Sequence, residues 1–299
     1  MSKILKLLKD PYYVIGQYLL NHFPHIMSDR YFIKVVWKNY TGDKLNLGNP
    51  RTFNEKLQWL KLNTRDPLYS TLVDKYAVKE WIANKIGKQY VIPTLAVYDS
   101  VDQIDLDKLP DRFVLKCNHD CGSVVICKDK SSFDLEAAKK KLDTALKQNY
   151  YWNSREWPYK NVKPRIIAEP YLEDESGELR DYKVYAFNGQ CDYLMLCFDR
   201  QKGETKFIYF DRNWAIQKEF SNDGRKYGDT IKVERPHNLD LIFEFAEKLS
   251  SGFPFVRVDF YEVNGQLFLG EMTFYPSAGF DGTRPKAIED YLNKHLIIQ

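Results

Sequence analysis

Residues 255–276 read FVRVDFYEVNGQLFLGEMTFYP, two runs rich in Val, Phe and Leu on either side of Asn264-Gly265. An Asn-Gly pair between apolar runs is a strong signal for a β-hairpin. Each run holds one central carboxylate, Asp259 in the first and Glu271 in the second. Two interpretations are open. Either the carboxylates converge on one cation, or they are solvated charges of a surface hairpin in which Arg257 pairs with Glu271.

The length of the turn distinguishes the geometries of this hairpin. With a two-residue turn, Asp259 lies opposite Gly270, and Glu271 points to the other face of the sheet. With a three-residue turn that contains a glycine bulge, Glu271 faces Arg257 and lies one diagonal step, about 7–8 Å, from Asp259. That separation suits two oxygen ligands of one hard cation. We therefore expect a shared metal ion only with the three-residue turn.

Helical and strand-like segments alternate through the rest of the chain. Residues 1–48 read as short helices broken by two prolines, and Thr52-Phe-Asn-Glu55 is a capping box that predicts a helix start. No GxGxxG follows a strand and no GxxxxGK[ST] occurs, so neither a Rossmann nor a P-loop site is indicated. Interleaved helices, hairpins and short strands indicate an α+β protein built on antiparallel sheets. Further helices are predicted over 67–87, 134–151 and 239–252, and strands over 90–98, 111–118, 123–128, 164–172, 181–199 and 206–214.

The charge balance and the cysteine content narrow the class of protein. The 299 residues include 44 basic and 41 acidic side chains, a net charge of +3, so no concentrated basic surface for nucleic acid is indicated. No apolar run approaches the ~20 residues of a membrane span. The five cysteines, an odd number without a recognisable signal peptide, favour reduced thiols in a cytoplasmic protein.

The N-terminus, MSKILKLLK (1–9), combines an apolar stripe with three lysines. One interpretation is a basic amphipathic helix that makes a peripheral contact with the inner face of an anionic membrane. The favoured interpretation is that the stripe docks on the protein's own body, as the apolar faces of surface helices commonly do.

A second segment, FVLKCNHDCGSVVICKDK (113–130), places Lys116 on a buried-looking strand before a short polar loop. The loop contains Gly122 and Ser123, and its backbone N–H groups could form a phosphate cradle beside the lysine charge. His119 is interpreted either as a phosphate or substrate contact or as an exposed loop histidine. A zinc site on the Cys-x-His-x-Cys spacing is a minority interpretation, because a second ligand pair is lacking.

A third segment, IIAEPYLEDESGELRDYKVYAF (166–187), is an apolar strand that ends at Glu169 and resumes as a polar strand with Asp181 and Lys183. Backbone N–H and C=O groups between the two strands are free to form hydrogen bonds with the edge of an adenine base. For this segment alone, an ordinary connection between two strands is the favoured alternative.

Taken in this order, the segments resemble the ATP-grasp superfamily, specifically the branch named after the teichuronopeptide biosynthesis protein. The resemblance implies two α+β lobes that grip ATP between antiparallel sheets. It also implies an N-terminal helical region (1–66) and an ATP-grasp domain (67–299), with a central lobe at about 110–170 and a C-terminal lobe at about 171–299. The resembling segments are 49–61, 74–82, 109–123, 181–190 and 255–280.

The resemblance also implies roles for individual residues, with ATP and Mg²⁺ as the cofactors. Thr273, the third candidate metal ligand, stands where the superfamily usually has Asn, and its hydroxyl is a weaker ligand, so a second metal ion is in doubt. The phosphate loop departs as well, because it has one glycine where many relatives have two or more. The matching residues are Lys75 and Lys116 for the phosphates, Gly122 and Ser123 for the loop, Glu169 and Leu172 for adenine, Asp181 for the ribose, Asp259 and Glu271 for the metal, and Arg257 for the transferring phosphoryl group.

The activity implied is that of a ligase, which converts a carboxylate into an acylphosphate that an amine then attacks. The genomic setting of the resembling branch suggests a surface or capsular polysaccharide, or its precursor, as the saccharide-linked substrate. A glycosyltransferase, an ATP-dependent sugar kinase and a non-catalytic nucleotide-binding protein are the alternatives. The stretch YYWNSREWPYK (150–160) either lines the acceptor site with its rings or is a loop anchored by them.

Overall fold

A computed structural model describes residues 10–174, 177, 179–200 and 203–298. The N-terminal stripe lies outside the described residues. None of the described helices combines the length and the apolar composition that crossing a bilayer requires.

Five helices form the first part of the described chain. The third begins with the predicted capping box, in which the Thr52 hydroxyl accepts from the Glu55 N–H and the Glu55 carboxylate accepts from the Thr52 N–H. The second helix contributes Phe32, Ile33 and Val35 to a small core of its own. The five helices are α1 (Pro11–His22), α2 (Asp29–Thr41), α3 (Phe53–Asn63), α4 (Leu68–Val73) and α5 (Val78–Ile86).

The single helix predicted over residues 67–87 is interrupted. Asp74 has extended backbone, and its carboxylate accepts hydrogen bonds from the Tyr76 and Ala77 N–H groups at 2.8 and 3.2 Å. This local turn replaces the helical hydrogen bonds, as Asp side chains commonly do outside helices. The break places Lys75 in a turn between α4 and α5.

The first sheet has four antiparallel strands in the order β1-β4-β2-β3. In β2, the alternate residues Phe113 and Leu115 are buried against α6 (Leu135–Leu146), whereas Val114 and Lys116 face the opposite side. The strand predicted over 90–98 is shorter than expected. The strands are β1 (Ala96–Tyr98), β2 (Phe113–Cys117), β3 (Val125–Cys127) and β4 (Ile166–Pro170).

The second sheet has five antiparallel strands in the order β7-β6-β5-β8-β9, and helix α9 (Leu239–Ser250) packs on it. The predicted Asn188-Gly189 turn joins β5 to β6, with both residues in the left-handed region. The two antiparallel sheets with interleaved helices confirm the predicted α+β class. The strands are β5 (Asp181–Ala186), β6 (Tyr193–Phe198), β7 (Lys206–Asp211), β8 (Val256–Val263) and β9 (Gln266–Thr273). Three further helices are α7 (Tyr151–Ser154), α8 (Asn222–Tyr227) and α10 (Lys286–His295).

The β8–β9 hairpin has the two-residue turn, with Asn264 and Gly265 at φ +49° and +78°. Even so, Asp259 pairs directly with Glu271, because the register shifts between Asp259 and Phe260. Gly270 is the extra residue of this β-bulge, which returns Glu271 to the face of Asp259. The expectation that a shared site requires a three-residue turn is therefore wrong: the bulge, and not the turn, aligns the carboxylates.

Candidate active site

The Asp259 carboxylate lies at the centre of a buried network of charges. Arg257 donates to both of its oxygens at 2.6 Å, and Lys183 donates to Oδ2 at 2.5 Å. Burial opposes ionisation of Asp259, but Arg257 and Lys183 outweigh it and lower the pKa of the carboxyl. Arg257 also donates to Thr273 Oγ1 at 3.1 Å, so the alternative in which it simply pairs with Glu271 is not what the structure shows.

Glu271 is the more open member of the pair, with a side chain one-third exposed (33%). Lys75 Nζ lies 3.8 Å from Glu271 Oε1 and also donates to the backbone carbonyl of Asp120 in the polar loop. Lys75 therefore links the loop to the carboxylate pair. The turn that interrupts the helix at Asp74 is what brings this lysine to the site.

Asp181 and Lys183, neighbours on one face of β5, extend the network. Lys183 Nζ lies 2.5 Å from Asp181 and from Asp259, and Arg200 lies 2.9 Å from Asp181. Burial and the charge of Asp259 raise the pKa of Asp181, although Lys183 opposes them. Two carboxylates thus share one lysine, and their titrations are linked.

The loop between β2 and β3 is fixed by its own side chains. Ser123 Oγ donates to Asp120 at 2.6 Å and accepts from the Cys117 N–H at 2.9 Å. Asn118 donates to Asp74 at 2.9 Å and accepts from the Arg165 N–H at 2.7 Å. Gly122 follows at φ +109°, a conformation that favours glycine. The hydroxyl of Ser123 stabilises the loop, and the loop backbone is left as the candidate phosphate cradle.

The position of His119 does not favour a phosphate or substrate contact. Its side chain is buried, and Nε2 lies 3.2 and 3.1 Å from the carbonyl oxygens of Ala145 and Gln148 near the end of α6. The last carbonyls of a helix have no partner within it, so a buried ring there satisfies them. His119 is also not the exposed loop histidine of the alternative. Among the described residues, no three or more His, Cys, Asp or Glu side chains are grouped so that they could hold a metal ion. This finding covers the Cys-x-His-x-Cys segment that was considered for zinc.

Glu169 on β4 accepts from two lysines. Its carboxylate lies 2.6 Å from Lys116 Nζ and 2.7 Å from Lys79 Nζ. Burial opposes ionisation, but the two lysines outweigh it and lower the pKa of Glu169. Lys116 is thereby held beside Glu169, and both residues line the cavity described next.

An apolar cavity of about 310 Å³ adjoins this ion pair and lies between the sheets. Its walls include residues of both sheets, and its size is at the lower end of ligand pockets in proteins. Ile126 is 52% exposed there, an unusual position for an isoleucine on a strand. The lining includes Ile92, Val114, Ile126, Leu172, Tyr261 and Lys116.

Sequence reasoning missed Lys79, Ile92, Arg200 and Tyr261. Only Lys79 had a local signal, because it follows Lys75 by four residues in a helical segment. The other three reach the cavity or the charge network through long-range packing that a single sequence does not reveal.

Residues 55–297 match the model of the TupA-like ATP-grasp family. The chain belongs to that family. The match covers most of the chain and includes both sheets, so the fold is the ATP-grasp fold that the resemblance implies. It confirms the resemblance on evidence independent of the site geometry.

Similarity to characterised proteins is more distant for this TupA-like chain. It is 29% identical over 114 residues to a D-alanine–D-alanine ligase of Sulfurimonas denitrificans, a match that covers 38% of this chain and 30% of that protein. An L-amino acid ligase of Bacillus licheniformis aligns with a TM-score of 0.45 and 13% identity, over 76% of this chain and 49% of that one. A D-alanine–D-alanine ligase of Bacillus anthracis aligns at 0.39 and 14%, over 68% and 54%. The chain thus spans only a third to about half of their lengths.

The donor set of this TupA-like ATP-grasp site fits Mg²⁺ bound with a nucleotide. Mg²⁺ prefers oxygen ligands and is commonly held by one or two carboxylates together with substrate phosphates. Asp259 and Glu271 offer two carboxylates from paired strands; Glu271 is one-third exposed, whereas both oxygens of Asp259 already accept from Arg257 and Lys183. Thr273 Oγ1 accepts from Arg257, so its orientation is set by that arginine. When bound, the ion would neutralise charge on the phosphate oxygens.

Proposed function

We propose that this protein is an ATP-dependent carboxylate–amine ligase that acts through an acylphosphate. The observation that supports it best is the Lys75–Glu271 contact, because Lys75 joins the polar loop between β2 and β3 to the carboxylate pair Asp259 and Glu271. Because the chain belongs to an ATP-grasp family, we assign the place where Lys75 contacts Glu271 to the β- and γ-phosphates of ATP. The apolar cavity with Leu172 and Glu169 then suits adenine, and Asp181, which pairs with Arg200 of the cavity wall, suits the ribose.

The proposed reaction needs positive charge and exclusion of water more than a protein nucleophile. A carboxylate oxygen of the substrate attacks the γ-phosphorus, and ADP leaves. The amine nitrogen then attacks the acyl carbon, phosphate leaves, and the nitrogen loses a proton. Arg257, Lys116 and Lys75 would offset charge that develops on the transferring group. Arg257 suits this role because two hydrogen bonds to Asp259 hold its plane.

The proposed acceptor is a surface or capsular polysaccharide or its precursor, and the family resemblance is what supports this choice. Tyr151 and Tyr159 of the aromatic stretch are buried, and Tyr150 contacts Tyr159 ring to ring. This favours the anchored-loop interpretation of that stretch. The sugar site is therefore better sought elsewhere in the molecule.

The test is product analysis with ATP, Mg²⁺, candidate carboxylic acids and candidate amines. Release of ADP and phosphate that depends on both substrates is the expected result. Phosphate retained on the product would indicate a sugar kinase, and consumption of a nucleotide sugar a glycosyltransferase. If no ATP analogue binds with or without Mg²⁺, the protein is a non-catalytic member of the family.

We also infer that this protein acts in the cytoplasm and that the exposed side chains of α1 and of the turn after it, a segment distinct from the stripe at 1–9, contact the inner face of the membrane. Tyr12, Ile15, Tyr18, Phe23 and Ile26 are all exposed, at 50–74%. Aromatic and aliphatic side chains beside basic residues are typical of interfacial helices. Co-sedimentation with phosphatidylglycerol vesicles, but not phosphatidylcholine vesicles, is expected. Loss of sedimentation in Ile15→Ser would support this face, and equal sedimentation would count against it.

A further inference from the structure

A second cavity, of about 490 Å³, lies in the N-terminal helical region, outside the residues that match the family model. Its walls come from the start of α1, from one face of α2 and from the segment that follows α2. It shares no lining residue with the apolar cavity between the sheets. A ligand bound here would therefore be separate from the proposed ATP site.

One face of α2 carries a ladder of basic residues that lines this cavity. Arg30, Lys34 and Lys38 follow one another at intervals of four, so their side chains lie on one side of the helix. Like charges at this spacing repel one another and destabilise a helix slightly. Lys44, which lies beyond the end of α2, adds a fourth cation to the lining. A bound anion would offset this repulsion.

Most of this positive charge is not neutralised by carboxylates. Asp10 is the one acidic residue among the described residues that line the cavity, and its carboxylate pairs with Lys38. Arg30, Lys34 and Lys44 are exposed, and they form no ion pair with any described residue. Three unpaired cations around one cavity favour an anion with more than one negative charge.

The walls of the cavity are held in place by the packing of α1 on α2. A Cβ atom on Gly16 would lie 2.4 Å from the side chain of Val35, so the glycine lets the two helices approach closely. The Tyr31 hydroxyl donates to the Tyr12 carbonyl, and the rings of these two tyrosines pack edge-on with centroids 5.2 Å apart. The cavity is therefore a feature of the helix packing.

The position of the cavity indicates where its anion comes from. Tyr12 lines the cavity and is 74% exposed, and it shares a face of α1 with the exposed residues Ile15 and Tyr18. The cavity thus adjoins the face that we infer to contact the membrane. Basic side chains next to an interfacial apolar face are typical of sites that bind anionic lipid headgroups.

The N-terminal segment of the chain does not match the charge of the cavity. Residues 1–9 contain three lysines and no acidic residue. Their entry into the cavity would bring like charges together, which is unfavourable. The charge of the lining therefore favours an anion from outside the chain.

From these features we propose that the cavity between α1 and α2 binds the phosphomonoester headgroup of a membrane lipid. Arg30, Lys34 and Lys44 contact the phosphate, and the tyrosine rings pack on the carbon atoms that carry it. A phosphomonoester has about two negative charges near pH 7, so it matches three unpaired cations better than the singly charged phosphodiester does. The inference rests on the membrane contact proposed for α1 and is independent of the ligase activity.

The test is co-sedimentation of the full chain with phosphatidylcholine vesicles that contain either phosphatidic acid, a phosphomonoester, or phosphatidylglycerol, a phosphodiester. The two kinds of vesicle are matched in surface charge. A difference in affinity then reports on the headgroup and not on the general field of the membrane. The wild type is expected to bind the phosphatidic acid vesicles at least about 5-fold more tightly.

Two variants remove one exposed cation each from the lining. Lys34→Gln and Lys44→Gln are expected to weaken binding to phosphatidic acid vesicles about 5-fold and to reduce the preference over phosphatidylglycerol. The midpoint of thermal unfolding is expected to stay unchanged, because both side chains are exposed. Lys140→Gln is the matched control, since Lys140 is an exposed lysine of α6 outside this lining, and its binding is expected to equal that of the wild type.

Calorimetry with soluble ligands separates a lipid from other anions. sn-Glycerol 3-phosphate has the same phosphomonoester without acyl chains, and its binding is expected to be weak and to be lost in Lys34→Gln. If it binds but the vesicles do not, the cavity takes a soluble phosphate ester and the lipid proposal is overturned. Binding of polygalacturonate that Lys34→Gln abolishes, without binding to vesicles, would overturn it in favour of an anionic polysaccharide.

The remaining outcomes separate the headgroup site from the membrane contact of α1. Equal binding of the wild type to the two kinds of vesicle, or an unchanged preference in both lysine variants, overturns the headgroup site. If that equal binding is lost in Ile15→Ser, the membrane contact stands without the site. If Ile15→Ser binds as the wild type does while Lys34→Gln loses the preference for phosphatidic acid, the site stands and the apolar face is not the contact.

Discussion

Asp259 lies directly opposite Glu271 because Gly270 is an extra residue in β9. A Cβ atom on Gly270 would lie 2.5 Å from the ring of Tyr261, so no larger residue fits without movement. Gly270→Ala is therefore expected to cost about 1–3 kcal/mol of unfolding free energy. It is also expected to weaken Mg²⁺-dependent binding of an ATP analogue, because the displaced ring packs over the bulge and lines the apolar cavity.

Gly48→Ala is the matched control for that substitution. A Cβ atom on Gly48 would come no closer than 3.8 Å to any neighbouring side chain or backbone atom, so the same change adds a methyl group without a clash. Denaturant unfolding and calorimetry on both variants measure the difference. Wild-type stability and metal dependence in Gly270→Ala would show that the bulge does not position the carboxylates.

The two carboxylates are expected to respond differently to neutralisation. Glu271→Gln removes an open charge whose only ion pair among the described residues is Lys75, so stability is expected to change little and turnover to fall about 100-fold or more. Asp259→Asn leaves Arg257 buried without its charged partner and leaves Lys183 with Asp181 alone, so it is expected to cost about 3–5 kcal/mol. Thermal unfolding and ADP release distinguish them. An equal loss of stability in both variants would contradict the assignment of Glu271 as the open ligand and Asp259 as the buried one.

The position of the β8–β9 hairpin could be predicted from the sequence, but the register of its two strands could not. The Asn-Gly turn and the apolar runs are local signals, and the structure has the β-hairpin where they lie. The pairing of Asp259 with Glu271 depends on the Tyr261 ring packed over Gly270, a contact that periodicity does not report. His119 illustrates the same limit, because its burial is decided by the end of α6, far along the chain.

A buried lysine makes the stability of the protein depend on pH. Lys61 is fully buried, and burial lowers its pKa from 10.5 to about 8, although Glu156 opposes the shift. Between these pH values the unfolded chain binds the proton that the folded chain has lost, so the free energy of unfolding rises with pH. Relative to Lys61→Met, the wild type is expected to gain up to about 3 kcal/mol across this range.

Denaturant unfolding at about pH 7 and about pH 11 measures this difference. Lys286→Met is the control, because that side chain is 84% exposed and its removal is expected to leave the pH dependence unchanged. Tyrosines and cysteines also titrate in this range, but their contribution cancels in the comparison with each variant. Parallel curves for the wild type and Lys61→Met would contradict the assignment.

The apolar cavity predicts a loss of nucleotide affinity without a loss of stability. Ile126 is 52% exposed on β3 and lines the cavity, so its side chain contributes little to the core. An adenine ring that covers it would bury apolar surface, at roughly 25 cal/mol per Å². Ile126→Ala is expected to weaken binding of an ATP analogue about 5- to 10-fold, or about 1–1.4 kcal/mol, with an unchanged midpoint of thermal unfolding.

Ile26→Ala is the control for Ile126→Ala, because Ile26 is similarly exposed (71%) but lies in the N-terminal region. The same loss of side-chain surface there is expected to leave nucleotide affinity unchanged, as no wall of the cavity comes from that region. Calorimetry with a non-hydrolysable ATP analogue measures both variants. Because the two substitutions remove the same atoms, a selective effect at Ile126 assigns the cavity to the base, whereas equal affinities would place the adenine elsewhere.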